Sequence, residues 1–438
     1  MKKIIVAPDS FKGSLSAKQV ADIISVEIMA SNPGCAVVKM PIADGGEGSV
    51  EAIIAATGGR IEEASVLSPD GRKITAGFGI TTNGQAVIEM AQSSGITRQI
   101  GLHPMTSSTY GFGQLILSAL ESGPESGLGL EQGLWPWPRL EPGPELEPEL
   151  ESGPRLGLGL GPEPEPESGP DLGPGLGPES GPILRLRDFF LCIGGSATTD
   201  GGCGMAAALG VKFLDSRGDC FVPCGATLER VSRIDMSGID KRVLASDFTV
   251  MCDVDNPLYG PSGAAYIYAP QKGADPAQVQ ALDRGLRHLG DVFAQTFGSD
   301  YANIPGAGAA GGLGFGCMAM LNARLESGID AILDLCEFDK HLAGSDLIIT
   351  GEGRLDAQSF SGKVLSGILR RAGDVPVVSI CGACDAEESL LNLLREHGLT
   401  FFEASKGISV EESLRNPEKY LKRAATEVMV SSAQGINL

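Results

Sequence analysis

Carboxylates, cations and hydroxyls gather in five glycine-rich stretches of this chain: PDSFKGS (8–14), ADGGEG (43–48), CIGGSATTDGG (192–202), PGAGAAGGLG (305–314) and TGEGRLD (350–356). Consecutive glycines let backbone N–H groups turn toward a ligand. A helix beginning just after them adds its positive end, so such a stretch can form a nest for an anion. In CIGGSATTDGG the helix would be the CGMAAALG run, with Gly194 and Gly195 in the turn and Ser196, Thr198 and Thr199 adding hydroxyl donors. Asp200 is the odd member. A carboxylate beside an anion is costly unless a magnesium ion or a substrate hydroxyl lies between them, and phosphoryl transfer supplies either. The competing reading is an Asp that caps a turn.

The other stretches carry complementary groups. In PDSFKGS, Asp9 closes a strand, and Lys12 stands near Ser10 and Ser14 before a helix, placed to meet phosphate or carboxylate oxygens. ADGGEG offers Asp44 and Glu47 for a metal-bound water, a substrate hydroxyl or a plain cap. In MCDVDNPL, Asp253 and Asp255 lie two apart on an extended segment, so they share a face with alpha carbons about 6–7 Å apart. That pair suits Mg2+ or a general base. TGEGRLDAQSFSGK adds Glu352, Arg354, Asp356 and Lys363, with Arg354 able to clamp a carboxylate or phosphate bidentately. Gly308, Gly311 and Gly312 could wrap a nucleotide or pack helices closely. No GxxxxGK[ST] pattern occurs, and four scattered histidines leave little room for imidazole chemistry.

These groups need a scaffold. A chain of 438 residues exceeds what one core usually supports, so two domains are expected. KKIIVAP reads as a strand, SLSAKQVADIISVEIMA as a Ser-capped amphipathic helix and AVVKMPIAD as the next strand. AVIEMAQSSG, TVMCDVD, SDLIITGEG and PVVSICG are further strands, and VQALDRGLRHLGDVFAQTFG, MAMLNARLESGIDAILDL and GKVLSGILRRAG are helices. The functional stretches fall at the carboxyl ends of strands, where open α/β sheets collect ligands. Residues 121–182 differ: 14 Gly, 14 Pro, 12 Glu and 11 Leu without a Val or Ile cannot form a packed core, and they read as a low-complexity insert. The insert also holds both tryptophans, Trp135 and Trp137, and supplies −11 of the net charge of −21. That charge argues against nucleic acid as a partner. No run reaches transmembrane length and the N-terminus is not a signal peptide, so a cytoplasmic address is expected, with no membrane partner. The ten cysteines form no paired zinc pattern, although CGAC (381–384) has redox spacing.

In order along the chain, APDSFKGSLSA (7–17), PIADGGEGS (41–49), IEMAQSSG (88–95), TSSTYGFG (106–113), IGGSATTDGG (193–202), CDVDNPLYGPSGAA (252–265), PQKGA (270–274), GAGAAGGLGFG (306–316) and LIITGEGRLDAQSFSGK (347–363) resemble the signature blocks of the type I bacterial glycerate kinases. The resemblance covers 1–120 and about 183–410. It implies ATP-dependent phosphorylation of D-glycerate with Mg2+, usually at the 2-hydroxyl, in a cleft between two α/β domains. The first is a discontinuous Rossmann-like domain (1–68 and 296–438), the second an α/β domain (69–295) that carries the insert. Under this reading Gly194, Gly195, Ser196, Gly308, Gly311, Gly312 and Lys272 contact the nucleotide, and Asp9, Ser10, Lys12, Asp44 and Arg354 contact glycerate. Asp200 or Asp253 serves as base, Lys12 and Arg354 meet phosphate or carboxylate, and Asp44, Asp255 and Glu352 are candidates for the metal. The division among the carboxylates stays open, as does monomer against homodimer. A kinase for another small hydroxy acid, or an inactive anion-binding or interaction protein, remains the alternative. Two departures stand out: Thr199 replaces the family's usual Asn, and the insert has no family counterpart.

Overall fold

The structure is a computed structural model that describes residues 2–43, 45–122, 187–356, 359, 363–387, 392 and 399–433. It contains two α/β regions, each built on its own sheet. The insert falls almost entirely outside the described residues.

The first sheet starts with β1 (Lys3–Val6). Helix α1 (Ala17–Ser31) follows, opened by Ser16 as its sequence predicts: Ser16 Oγ accepts the Gln19 amide at 3.3 Å, and Gln19 Oε1 accepts the Ser16 amide at 2.8 Å. This reciprocal pair satisfies two amides that the helix itself cannot. β2 (Ala36–Lys39) returns beside β1. Three strands from the far end of the chain complete the sheet: β12 (Leu347–Leu355), β13 (Val377–Cys384) and β14 (Leu399–Glu403). The order is β14-β13-β12-β1-β2, with every pair parallel. The chain winds one way from β1 to β2 and the other way from β12 to β13, so a switch point lies between β1 and β12, and a crevice opens there.

Between the halves of that sheet lie helix α2 (Ser49–Thr57) and the second sheet. This consists of β3 (Gly59–Leu67), β4 (Lys73–Thr81), β5 (Ala86–Glu89), β6 (Asp188–Cys192), β10 (Asp247–Met251) and β11 (Arg324–Glu326). Its order is β11-β10-β6-β5-β4-β3, parallel from β11 to β5 and antiparallel from there to β3. A small antiparallel ribbon, β7 (Lys212–Leu214), β8 (Cys220–Phe221) and β9 (Arg233–Asp235), is appended. The expected borders at 68/69 and 295/296 do not coincide with this partition. Gly59–Leu67 pairs with β4 over nine residues, and Arg324–Glu326 pairs with β10, so both belong with the second sheet. The run MAMLNARLESGIDAILDL, expected as one helix, is broken: Asn322 takes a left-handed conformation that ends the helix Ala309–Leu321, β11 intervenes, and a new helix spans Gly328–Leu335.

Side chains on β1 alternate between two cores. Ile4 and Val6 pack with α1 and the helix Pro417–Ala433. Ile5 joins Ile348, Val50 and Ile329 on the opposite face, in a cluster that also contains Val87, Cys192 and Met251 of the second sheet. Apolar packing therefore runs from one sheet to the other and fixes how their edges face each other. Among the described residues no helix is long and apolar enough to cross a membrane.

Candidate active site

Three cavities line up where the carboxyl edges of the two sheets meet. The first, about 570 Å3, lies against Gly194–Ser196 after β6, Cys252–Val254 after β10, and Lys272. The second, about 620 Å3, is walled by Asp9, Ser10, Lys12 and the turn Gly46–Gly48. The third, about 390 Å3, lies at the ends of β12 and β13 against Glu352, Arg354, Asp356, Lys363 and Ser405. Gly46 and Gly195 border the first and second cavities, Asp9, Ser10, Lys12 and Ser14 the second and third, and Lys363 the first and third, so they form one cleft. It sits at the switch point between β1 and β12: the Asp9 amide bonds the Gly351 carbonyl at 2.8 Å, just before Glu352.

The turn after β6 is held from several sides. A Cβ on Gly194 would stand 2.9 Å from Gly46 Cα, so only glycine permits this approach of the two turns. Lys272 is buried on the cavity floor, and its Nζ donates to Ser196 Oγ and the Thr198 carbonyl, each at 2.6 Å. Burial pulls its ammonium down to about 7, against the opposing pull of the Asp200 charge. Asp200 itself is sealed from solvent, and it is not among the residues lining these cavities. Its Oδ2 accepts the Thr109 amide and hydroxyl, both at 2.8 Å, and the Gly204 amide at 3.3 Å, while Oδ1 accepts the Gly202 amide at 3.1 Å. Burial raises its pKa above the ordinary value and these donors oppose the rise. Asp200, one of the two carboxylates expected as base, thus makes the contacts of a capping carboxylate, the competing reading of the motif.

The other expected residues divide in the same way. Gly311 and Gly312 have positive φ and press on the turn after β6, where a Cβ on Gly311 would collide with the Thr198 carbonyl and one on Gly312 would lie 2.9 Å from Gly201 Cα. Gly308 packs equally tightly on the Pro257 carbonyl, which leaves Ala309 and Ala310 as the part of that stretch bordering the first cavity. All three glycines thus show the close packing that was one of their two expected roles. Asp253 is exposed on the wall of the first cavity and accepts the Gly328 amide at 2.9 Å, whereas Asp255 is exposed outside the lining of the three. Arg354 borders the third cavity and pairs with Asp385 at 2.7 Å, both more than half exposed. Asp44 lies outside the described residues. Cys381 and Cys384 are unbridged on β13, and burial pushes the Cys381 thiol up, away from redox reactivity.

A model of the glycerate kinase family matches residues 4–128 and 184–432, on both sides of the low-complexity stretch. The chain belongs to the glycerate kinase family. It is 36% identical over 436 residues to a glycerate kinase of Bacillus subtilis (strain 168), covering 98% of this chain and 97% of that protein. To the glycerate 2-kinase of Escherichia coli (strain K12) it is 35% identical over 441 residues, covering 99% of each. The crystal structure of a Salmonella typhimurium LT2 protein assigned as glycerate kinase 2 superposes with a TM-score of 0.76 at 32% identity over the full length of both chains. Kinase activity on a small hydroxy acid follows from this membership.

Within the family frame, Mg2+ must be weighed against the donors present. Among the described residues no three His, Cys, Asp or Glu side chains are grouped to hold a metal. Mg2+ does not require that, since one or two protein carboxylates plus phosphate oxygens commonly suffice. Glu352 fits such a role: its Oε1 is buried without a hydrogen-bond partner, and burial, with the charges of Asp9 and Asp356, pushes its carboxyl up to about 7 against Ser359 and Lys363. Asp255 is not brought to it. Sequence reasoning missed Tyr268 and Gln271 on the wall of the first cavity. Gln271 lies within PQKGA and Tyr268 two residues before it, which was the signal for them.

Proposed function

We propose that this protein transfers the γ-phosphoryl group of ATP to the 2-hydroxyl of D-glycerate, with Mg2+, giving 2-phosphoglycerate and ADP. The observation that carries this reading is the cleft itself, in which the acid and cation cluster Asp9, Lys12 and Glu352 shares walls with a glycine turn held by Lys272. We read the five-stranded parallel sheet as Rossmann-like, with its switch point serving substrate and phosphates.

The nucleotide phosphates would lie in the first cavity, against the amides of Gly194–Ser196 and the ammonium of Lys272, a buried cation suited to a polyanion. Glycerate would occupy the second, with Ser10 on its hydroxyls and Lys12 on its carboxylate. Arg354 would reach the carboxylate or a phosphate by leaving Asp385, an exposed pair that holds it by only about 0–1 kcal/mol. With Asp200 committed to capping, Asp253 is the carboxylate left for the base: it would take the hydroxyl proton as the oxygen bonds to phosphorus and the bond to the ADP oxygen breaks. Glu352, beside Asp9, would hold Mg2+, which when bound offsets phosphate charge. The protein's own contribution is position and charge, with no covalent intermediate.

The test is ADP release by the full chain with ATP, Mg2+ and D-glycerate, with the product's phosphorus position read by NMR. Turnover giving 2-phosphoglycerate supports the reading. Absence of turnover with D-glycerate and with a panel of small hydroxy acids, in this chain and in one lacking 121–182, would sink it.

A further inference from the structure

Helix α2 begins without a cap of its own. Its N-cap position is Gly48, at φ +91°, which has no side chain to accept a first-turn amide. The acceptor comes from β5 of the second sheet. Glu89, the last residue of β5, is 1% exposed, and its Oε1 accepts the Val50 amide at 2.6 Å. The Gly48 amide is a second backbone donor to this carboxylate, and Gln92 Nε2 lies 3.3 Å from its Oε2. No Lys or Arg is among its hydrogen-bond partners in the described residues. Burial pushes the Glu89 carboxyl up, and the backbone donors and the positive helix end oppose that.

What this carboxylate holds is the centre of the cleft. Gly45 and Gly46, just before α2, border the first cavity, and Gly46, Glu47 and Gly48 border the second. Gly46 also makes the close approach to Gly194, and Ser49 Oγ donates to the Gly46 carbonyl at 2.7 Å. Glu89 lies in the block IEMAQSSG (88–95).

We propose that Glu89 is a positioning residue that caps α2 from the neighbouring strand and so holds the 45–48 turn against the 194–196 turn where the nucleotide and glycerate cavities meet. Its catalytic consequence rests on the kinase reading above; its capping role does not. The experiment therefore has two arms on the full-length protein, comparing wild type with E89A and E89Q.

In the first arm, hydrogen exchange without substrates is expected to speed up about tenfold at residues 45–52 in E89A, while β5 and β6 keep their protection; in E89Q, whose amide oxygen still accepts from Val50, most of the protection returns. In the second, E89A is expected to raise the glycerate KM and lower kcat/KM by about tenfold or more, with E89Q within about threefold of wild type. Should E89A not fold, E89D, one methylene shorter, takes its place with the same expectations. Unchanged exchange at 45–52, or faster exchange spread evenly over the chain, overturns the proposal. So does local loosening that leaves the kinetics of an active enzyme at wild-type values. If wild type shows no turnover on any substrate, the kinase reading fails and the exchange arm alone decides the cap.

Discussion

Asp200 and Thr109 join two helix starts through one carboxylate oxygen, which accepts both the amide and the hydroxyl of Thr109 at 2.8 Å. Thr109 stands at the N-cap of the helix Tyr110–Glu121, and its Oγ1 in turn accepts the Met205 amide, at 2.8 Å, from the helix Cys203–Ala208. Asn in place of Asp200 would turn an NH2 group or a weaker acceptor toward four donors. D200N is therefore expected to lose about 2–4 kcal/mol of stability in urea unfolding. Its activity should fall with the folded fraction, and the pH profile of what remains should keep its wild-type shape. A D200N protein as stable as wild type yet without turnover would return Asp200 to the role of base.

Lys272 makes stability and nucleotide affinity run in opposite directions with pH. Its folded value of about 7 lies below the ordinary lysine value of 10.5. Between the two, the unfolded chain holds a proton that the folded chain has released, so stability rises with pH across that window, by up to about 1.4 kcal/mol per unit. Below pH 7 both states are protonated and the destabilisation is complete. The charges and acceptors around the ammonium are Asp200, Ser196 Oγ and the Thr198 carbonyl, with Asp253 and Lys363 on the same cavity. ATP affinity is expected to weaken as pH climbs through 7 and the charge is lost. Unfolding and ATP titrations from pH 6 to 9 on wild type and K272M check both effects; equal slopes in the two proteins would contradict them.

What was legible in the sequence depended on how far away the partners lie. β1, α1 and the Ser16 cap follow from patterns a few residues long, and the strand ends bearing Gly and acids are ends that border the cavities. The two readings of Asp200 could not be separated in the sequence, because a carboxylate in a glycine turn looks the same whether it faces a ligand or an amide 91 positions away. Gly311 and Gly312 suggested a ligand loop, but their partner is the backbone of Thr198–Gly201. The capping role of Glu89 gave no signal, since the amide it accepts lies 39 residues earlier in the chain. The break at Asn322 was hidden by an apolar pattern that suits helix on both sides.

Glu352 is expected to trade stability for metal binding. A half-buried carboxylate with an orphaned oxygen near Asp9 and Asp356 destabilises the folded chain when ionised, and an amide in its place removes that charge. E352Q should therefore melt at or above the wild-type temperature, while the Mg2+ concentration for half-maximal turnover rises about tenfold or more. Thermal melts and Mg2+ titrations of initial rate decide it. An unchanged Mg2+ requirement would remove Glu352 from the metal.

Thr199 is fully buried, and its hydroxyl has no hydrogen-bond partner among the described residues. A buried hydroxyl left unpaired costs about 1–3 kcal/mol, and valine keeps nearly the same shape without it. T199V is accordingly expected to gain about 0.5–1.5 kcal/mol in urea unfolding, and T199S, which keeps the hydroxyl and loses the methyl, to lose about 1 kcal/mol. Because Thr199 does not border the three cavities, glycerate KM should stay at its wild-type value in T199V. A destabilised T199V would mean that the hydroxyl bonds a buried water, and that the turn between Lys272 and Asp200 is held through that water.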